Sequence, residues 1–464
     1  MVKIAPFKGV VYNKSRLESE GGLLLAPPYD VLTESQRQEY LDSHENNFLH
    51  LDLGRTLPED QEALTWHERS ASTLNAWLNS GVLVRREQPS IIMMDTEWAH
   101  PITGRRMTRH GFICLLCIGE SANGGKVKLH EKTFSYHKEE RLDLMKKTRC
   151  QLSPVFGFFP DPDDAILKTM YDLGGSVPDL TITERSGLSH QITFLQAQSS
   201  LGDLISRLAS STVYIADGHH RFETALKYRQ IIREEMSKND QEPPANSALD
   251  YVLIYLCPMS DPGLVVLPTH RVLSKLDLSN EEILKALEPF AEIKTFPWPK
   301  GGAEKAALLE MRKKLIRDDD KGLTVFGLYL KGAEAYYFLK LKEKVKHKIA
   351  RSNSKEACLS CLDVSILTNV VFQEALGLSE ADLDDPKTIS YFSDIDETIE
   401  EVKNGEGRAA FILNHTSLEE ILKVTEAGMV MPRKATYFYP KVSSGIVFNL
   451  VNPMESIQGM EPQS

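Results

Sequence analysis

The sequence predicts a mixed α/β (α+β) chain built from more than one domain, and three observations carry that expectation. Short runs rich in β-branched and aromatic residues alternate with amphipathic stretches of helical period along most of its length. At 464 residues the chain exceeds what one ordinary hydrophobic core organises. Its 42% hydrophobic and 26% charged residues are the composition of a globular protein.

Taken in order, Gly9-Val-Val-Tyr12 reads as a strand, and Pro27-Pro28 force an extended path that presents Tyr29 and Asp30 on a loop. Thr33 with Gln36 forms a capping box that predicts a helix as far as Ser43. Between Asp60 and Ser80, Leu64, Ala71, Leu74, Trp77 and Leu78 recur at helical spacing, and Gly81 supplies the stop. The runs Pro89–Asp95 and His110–Ile118 read as strands of a hairpin across Pro101-Ile-Thr-Gly104.

The stretch Lys126–Arg149 is locally basic, with eight Lys or Arg against four Asp or Glu, and its portion Glu140–Met145 should be helical. The strand Leu152–Phe159 follows, ended by Pro160-Asp-Pro-Asp163. Two helices between Ala165 and Leu208 flank a strand near His190–Phe194. Leu249–Pro258 is apolar enough for a strand buried on both faces, and Asp261-Pro-Gly263 turns it back into Leu264–Arg271.

Beyond Ser279 helices (Glu281–Phe290, Gly302–Arg317) alternate with strands (Thr324–Leu330, Ala335–Leu341). The helices Val364–Leu376 and Ile395–Asn404 follow, then strands at Arg408–Leu413 and Ser444–Phe448. The expected division is an N-terminal α/β region 1–160, a core region 161–278, a C-terminal α/β region 279–452 and a disordered tail 453–464.

The most informative stretch is Val213-Tyr-Ile-Ala-Asp-Gly-His-His-Arg221, an apolar strand that stops at Asp217-Gly218 and restarts as a helix. A strand, a glycine and cationic donors on the first helical turn make an anion cradle, because a helix N-terminus exposes backbone N–H groups and a positive dipole end. Arg221 would clamp a phosphate, His219 and His220 would donate to it, and Asp217 would act as base or hold Mg²⁺. The bland alternative is a capped helix with surface histidines.

Three lesser clusters stand beside it. His130-Glu131 in the basic stretch could supply phosphate contacts and a general base, and Thr269-His270-Arg271 ends a strand, where sites gather. Lys434 and Lys441 flank the aromatic hairpin Tyr437–Gly445 and could close over an anion. The pairs Cys114/Cys117 and Cys358/Cys361 read as core residues rather than a zinc site. No Walker loop, Gly-x-Gly-x-x-Gly, His-Glu-x-x-His or Gly-x-Ser-x-Gly occurs, which removes the commoner nucleotide and hydrolase classes.

A net charge of −11 and a pI near 5.7 disfavour DNA as the main partner. Met1–Gly9 holds no apolar core of signal-peptide length, and the longest apolar run, near Tyr251–Cys257, is far short of a membrane span. A cytoplasmic protein without a membrane partner is expected, and six cysteines give no sign of a disulfide framework.

Seven segments, in order and across nearly the whole chain, resemble the bacterial and archaeal family catalogued as domain of unknown function 1015. They are Leu25-Ala-Pro-Pro-Tyr-Asp-Val31, His130-Glu-Lys-Thr133, Leu152-Ser-Pro-Val-Phe156, Ala216–Ala225, Leu267-Pro-Thr-His-Arg271, Leu362-Asp-Val364 and Thr436–Lys441 with Ser444-Gly445. The Asp-Gly-His-His-Arg element is also similar to the phosphate-binding box of the ParB/sulfiredoxin superfold, which includes free-serine kinases. That resemblance implies a ParB/sulfiredoxin-like core with an additional mixed α/β domain, in which residues 217 to 221 contact the phosphates of ATP or ADP with Mg²⁺.

The implied activity is phosphoryl transfer to or from a small hydroxylated metabolite, serine or phosphoserine by analogy. Asp217, His219, His220 and Glu131 would be catalytic. Gly218, Arg221, His130, Thr269, His270, Arg271 and Lys441 would bind the nucleotide. A small-molecule phosphatase and a non-catalytic nucleotide-binding regulator use the same residues. The helix-turn-helix and basic DNA face of ParB proteins have no match here, and Thr368 stands where the family pattern often has a histidine, so no role is carried onto it.

Overall fold

The computed structural model describes residues 1–54, 65–119, 125–131, 135–196, 199–298, 304–350 and 357–457. The chain forms two compact units. The first comprises residues 1–129, 133–265 and 440–464, and the second comprises residues 130–132 and 266–439.

The first unit is built on a mixed sheet of ten strands among the described residues. These are β1 (Ile4–Ala5), β2 (Ser90–Ala99), β3 (Arg106–Arg109), β4 (Phe112–Cys117), β5 (Val127–Lys128), β6 (Val155–Phe159), β7 (Leu180–Thr183), β8 (Ser189–Gln196), β9 (Val213–Asp217) and β10 (Tyr251–Pro258). The main path runs β7-β8-β2-β4-β10-β6-β9-β5, with β1 also paired to β4 and β3 to β2. Pairing is antiparallel except for β10 with β6 and β9 with β5.

Burial follows position in this sheet. The central strand β10 is buried at all eight residues, as its unbroken apolar run predicts, whereas β7, near the edge, alternates buried with exposed. The helices Ala165–Gly174 and Ser199–Ala209 pack Ile166, Met170, Leu204 and Leu208 against Ile91, Val155 and Ile254 of the sheet.

The second unit is an antiparallel six-stranded sheet with helices on it. Its strands are β11 (His270–Leu273), β12 (Ala291–Pro297), β13 (Val325–Leu330), β14 (Ala335–Leu341), β15 (Ile389–Phe392) and β16 (Ala409–Ile412), ordered β12-β14-β13-β16-β11-β15. Met311 and Leu315 of the helix Glu304–Asp319 and Ile399 and Val402 of the helix Ile395–Lys403 close its core over Val325 and Ala410.

The mixed α/β class stands, but the division into regions does not follow the sequence partition. No domain boundary falls at residue 160, because β6 lies between β10 and β9 and ties both sides of that point into one sheet. The second unit begins near residue 266, and residues 440–457 return to the first. The expected disordered tail is anchored through residue 457: Ala248 N–H donates to the Glu455 carbonyl, and Arg85 pairs with Glu455. Residues 458–464 lie outside the described residues, as do 60–64 and 302–303 of two expected helices.

Locally, the Thr33/Gln36 capping box opens a helix Glu34–Ser43, and Gly81 follows the helix Trp66–Asn79 with φ 74°. The returning strand expected at 264–271 is broken at Pro268-Thr269 into Val265–Leu267 and β11, since proline cannot donate to a ladder. The expected helix 364–376 is a short α-turn, Asp363–Ile366, continued as a π-helix over Leu367–Ala375. Cys114 and Cys117 are buried as read, but Cys361 is exposed and is not a core residue.

Candidate functional site

In the first unit β9 runs next to the sheet edge and its register against β6 shifts between Ile215 and Asp217, so Ala216 is left out of the ladder and Asp217 pairs with Phe156 at the strand's end. Gly218 then takes φ 81°, and the 20-residue helix His219–Lys238 begins. A side chain here would be strained twice: the left-handed backbone disfavours it, and a Cβ would sit 2.9 Å from Arg221 Nε. Glycine also leaves the first N–H groups of a long helix without a capping side chain, the arrangement that receives anions.

Around this turn the charges are ordered. Asp217 Oδ2 accepts from Arg221 Nη2 at 2.9 Å, and its Oδ1 accepts from the Lys441 ammonium, brought from the far end of the sequence. Arg221 Nη1 also donates to the Pro154 carbonyl, which fixes the plane of the guanidinium. Burial works against an ionised Asp217, but Lys441 and Arg221, with His219 adding to them, bring its pKa down to about 2. Two cations against one carboxylate leave excess positive charge beside the helix N-terminus.

This geometry corrects two roles read for Asp217. A carboxylate held at about 2 is a poor proton acceptor near neutrality, and both its oxygens face cations, so it does not fit a Mg²⁺ ligand. Among the described residues no group of three or more His, Cys, Asp or Glu side chains is arranged to hold a metal ion. Asp217 instead positions Arg221 and Lys441. His219 is buried and His220 half-buried on the first turn of the same helix.

The remaining candidates belong to the second unit. His130 is buried, its Nε2 3.1 Å from Thr436 Oγ1 and its ring edge-on to Phe438, and Glu131 Oε1 accepts from the Lys434 N–H at 3.2 Å. Lys132 and Thr133 of that segment lie outside the described residues. His270 is buried in β11, where its Nδ1 accepts the Leu413 N–H at 3.2 Å. Burial, aided by Arg271 and Arg312, lowers its pKa to about 3 and keeps it neutral.

Arg271 is also buried and donates to the Thr269 and Lys434 carbonyls, its guanidinium 4.9 Å from the centre of the Tyr391 ring. His130, Thr269, His270 and Arg271 thus sit in the packed framework of the second unit. For His270 this argues against a phosphate contact: a buried neutral histidine that accepts a backbone N–H is a packing group.

Sequence reading missed a set of polar residues close to Arg221. Arg141 donates to Asp52 Oδ1 at 2.8 Å and to the Asp52 carbonyl at 3.1 Å, both side chains being buried, and lies over the Tyr29 ring at 4.0 Å. Burial raises the Tyr29 pKa to about 12, with Arg141 opposing. Burial also raises that of Asp52, against Arg141 and Arg221. Tyr29 was legible as a loop residue after Pro27-Pro28, Arg141 as part of a basic stretch, and Thr224 as a member of the Ala216–Ala225 segment with no role of its own, but Asp52 carries no motif.

Compared with solved structures, 68% of the chain aligns with 84% of a free serine kinase variant in complex with ADP, at 13% identity and a TM-score of 0.31. A conserved hypothetical protein from Pyrococcus furiosus aligns over 68% of this chain and 87% of its own, at 13% identity and 0.29. SbnI from Staphylococcus aureus, truncated at its C-terminus, aligns over 71% and 84%, at 8% identity and 0.31. No curated protein sequence matches, and no helix among the described residues is long and apolar enough to cross a membrane. The family model described as a protein of unknown function, DUF1015, matches residues 4–365, and the chain belongs to that family.

Proposed function

We propose that the first unit, read as a ParB/sulfiredoxin-like core, binds ATP or ADP through its phosphates at Gly218–Arg221 and transfers a phosphoryl group to a small hydroxylated metabolite, with serine the first candidate. One observation carries the reading: Arg221 and Lys441 converge on one carboxylate at an N-terminus capped only by glycine. The Asp217 carboxylate holds two cations in place before any ligand arrives, so their ordering cost is met in advance.

In the transfer the acceptor hydroxyl oxygen forms a bond to phosphorus, the bridging oxygen of the donor leaves, and the hydroxyl proton goes to a base. Arg221, Lys441 and the helix N-terminus neutralise the charge of the transferring group, the greater part of such catalysis. The proton acceptor is assigned to His220, on the first turn of the same helix, and Asp217 is kept as the group that orients the cations.

The test is calorimetric titration of the full chain with ADP and ATP, followed by a phosphate-transfer assay with serine. Arg221→Ala should weaken ADP binding about 10- to 100-fold, the worth of charge-assisted hydrogen bonds. The cradle is refuted if wild type binds neither nucleotide or if the variant binds like wild type. Binding without transfer would leave the cradle and remove the transferase.

A further inference from the structure

Beside the cradle, and wholly within the first unit, lies a cavity of about 50 Å³ bordered by Tyr29, Asp52, Arg141, Ser153, Arg221 and Thr224. Three side-chain atoms of these bordering residues have no hydrogen-bond partner among the described residues: Asp52 Oδ2, Arg141 Nε and Thr224 Oγ1. Their residues are 5%, 6% and 5% exposed, so bulk water does not serve them. Buried polar atoms are nearly always paired, and three orphans around one small cavity mark a place for a partner.

The kinds of atom limit the partner. Asp52 Oδ2 only accepts, Arg141 Nε only donates, and the Thr224 hydroxyl does either. Asp52 and Arg141 pair with each other, so their part of the wall carries no excess charge, while Arg221 shares Asp217 with Lys441. The unpartnered Asp52 carboxylate oxygen repels a phosphate, which the neighbouring cradle suits, and favours a molecule that is neutral or zwitterionic and brings a donor. At about 50 Å³ of room for the centres of water-sized groups, the cavity admits only a compact molecule.

We infer that this cavity is the seat of the small acceptor: a compact molecule that gives an ammonium or hydroxyl donor to Asp52 and an oxygen to Arg141 and Thr224, in its simplest form an amino-acid zwitterion. The inference rests on the phosphotransferase reading only for the word acceptor. Binding in the cavity stands or falls by itself. Arg221 belongs to both places, and Thr224 follows it by three residues on the same helix, so the two ligands would lie about one helical turn apart.

The experiment is titration calorimetry of the full chain with L-serine, ethanolamine and glycerol, each with and without ADP, on wild type, Thr224→Val and Asp52→Asn. Valine keeps the shape of threonine and removes only the hydroxyl, so L-serine affinity should fall at least about tenfold while ADP affinity stays within about twofold. Its melting temperature should be equal or higher, because an unmatched buried hydroxyl is gone. Asp52→Asn should weaken L-serine and ethanolamine, which carry ammonium groups, more than glycerol.

If Asp52→Asn does not fold, Thr224→Val decides alone. Failure of wild type to bind any of the three molecules, or equal L-serine binding in wild type and Thr224→Val, overturns the assignment and leaves the cavity to water. Loss of ADP binding alone would sink the nucleotide reading and not this one.

Discussion

Replacing Lys441 by methionine removes the ammonium and keeps most of the stem, so it isolates the charge that reaches Asp217. In the folded chain Asp217 titrates at about 2 against an ordinary 3.8. Burial alone would raise it, and Lys441 is the larger of the two cations that bring it down. The difference of nearly two pKa units corresponds to roughly 2 kcal/mol of stability at neutral pH.

Removing one cation forfeits much of that and leaves the cost of burial less opposed, so a loss of about 2–3 kcal/mol is expected at pH 7. The folded pKa lies below the unfolded one, so the stabilisation is complete above about pH 5 and is lost as pH falls through 4 toward 2. The gap between wild type and Lys441→Met should therefore narrow over that window. Urea unfolding at a series of pH values measures it by tryptophan fluorescence, since Trp66, Trp77 and Trp98 belong to the unit that contains Asp217. A gap below about 0.5 kcal/mol at pH 7, or one as large at pH 3 as at pH 7, would refute the account.

Gly218→Ala should cost about 1–3 kcal/mol by forcing φ 81° on a residue with a Cβ, and should weaken ADP binding because that Cβ displaces Arg221; thermal melts and calorimetry read the two effects. For His270, folded pKa about 3 lies below the unfolded value near 6.5, so the stability it contributes is present above about pH 6.5 and lost as pH falls toward 3. His270→Gln should flatten the pH dependence of unfolding in that window, and an unchanged slope would count against a buried neutral imidazole. Leu256→Ala, in the fully buried β10, should destabilise by about 2–5 kcal/mol in urea unfolding, with no change in ADP affinity per folded molecule.

What could be read in the sequence was whatever the local chain decides by itself. The strand, glycine and helix of residues 213–238 follow from an apolar run, a residue that tolerates φ 81° and a 20-residue stretch of helix formers. Burial on both faces of Leu249–Pro258 was visible as an unbroken apolar run, because only a central strand accepts one. The edge strand β15 and the helix Leu418–Glu426 were missed, although Ser417 and Glu420 spell a capping box for the latter. The short apolar run Ile389–Phe392 becomes a strand only because β11 is there to pair with it.

The site divides in the same way. His219, His220 and Arg221 are set by one helix start, so their sequence spacing already held their geometry. Asp217 was misread as base and metal ligand because its chemistry is decided by Lys441, 224 positions away, and no local signal reports that pairing. Asp52 and Arg141 are likewise 89 positions apart and meet only through the tertiary fold. Once they are placed, one helix supplies the ruler for the whole arrangement. Arg221 lies on its first turn, and Thr224, about 4.5 Å further along the axis by helical rise, borders the cavity. On the proposed function, a rigid helix would fix the spacing between phosphate and acceptor more sharply than any loop could, and near-attack geometry demands that sharpness.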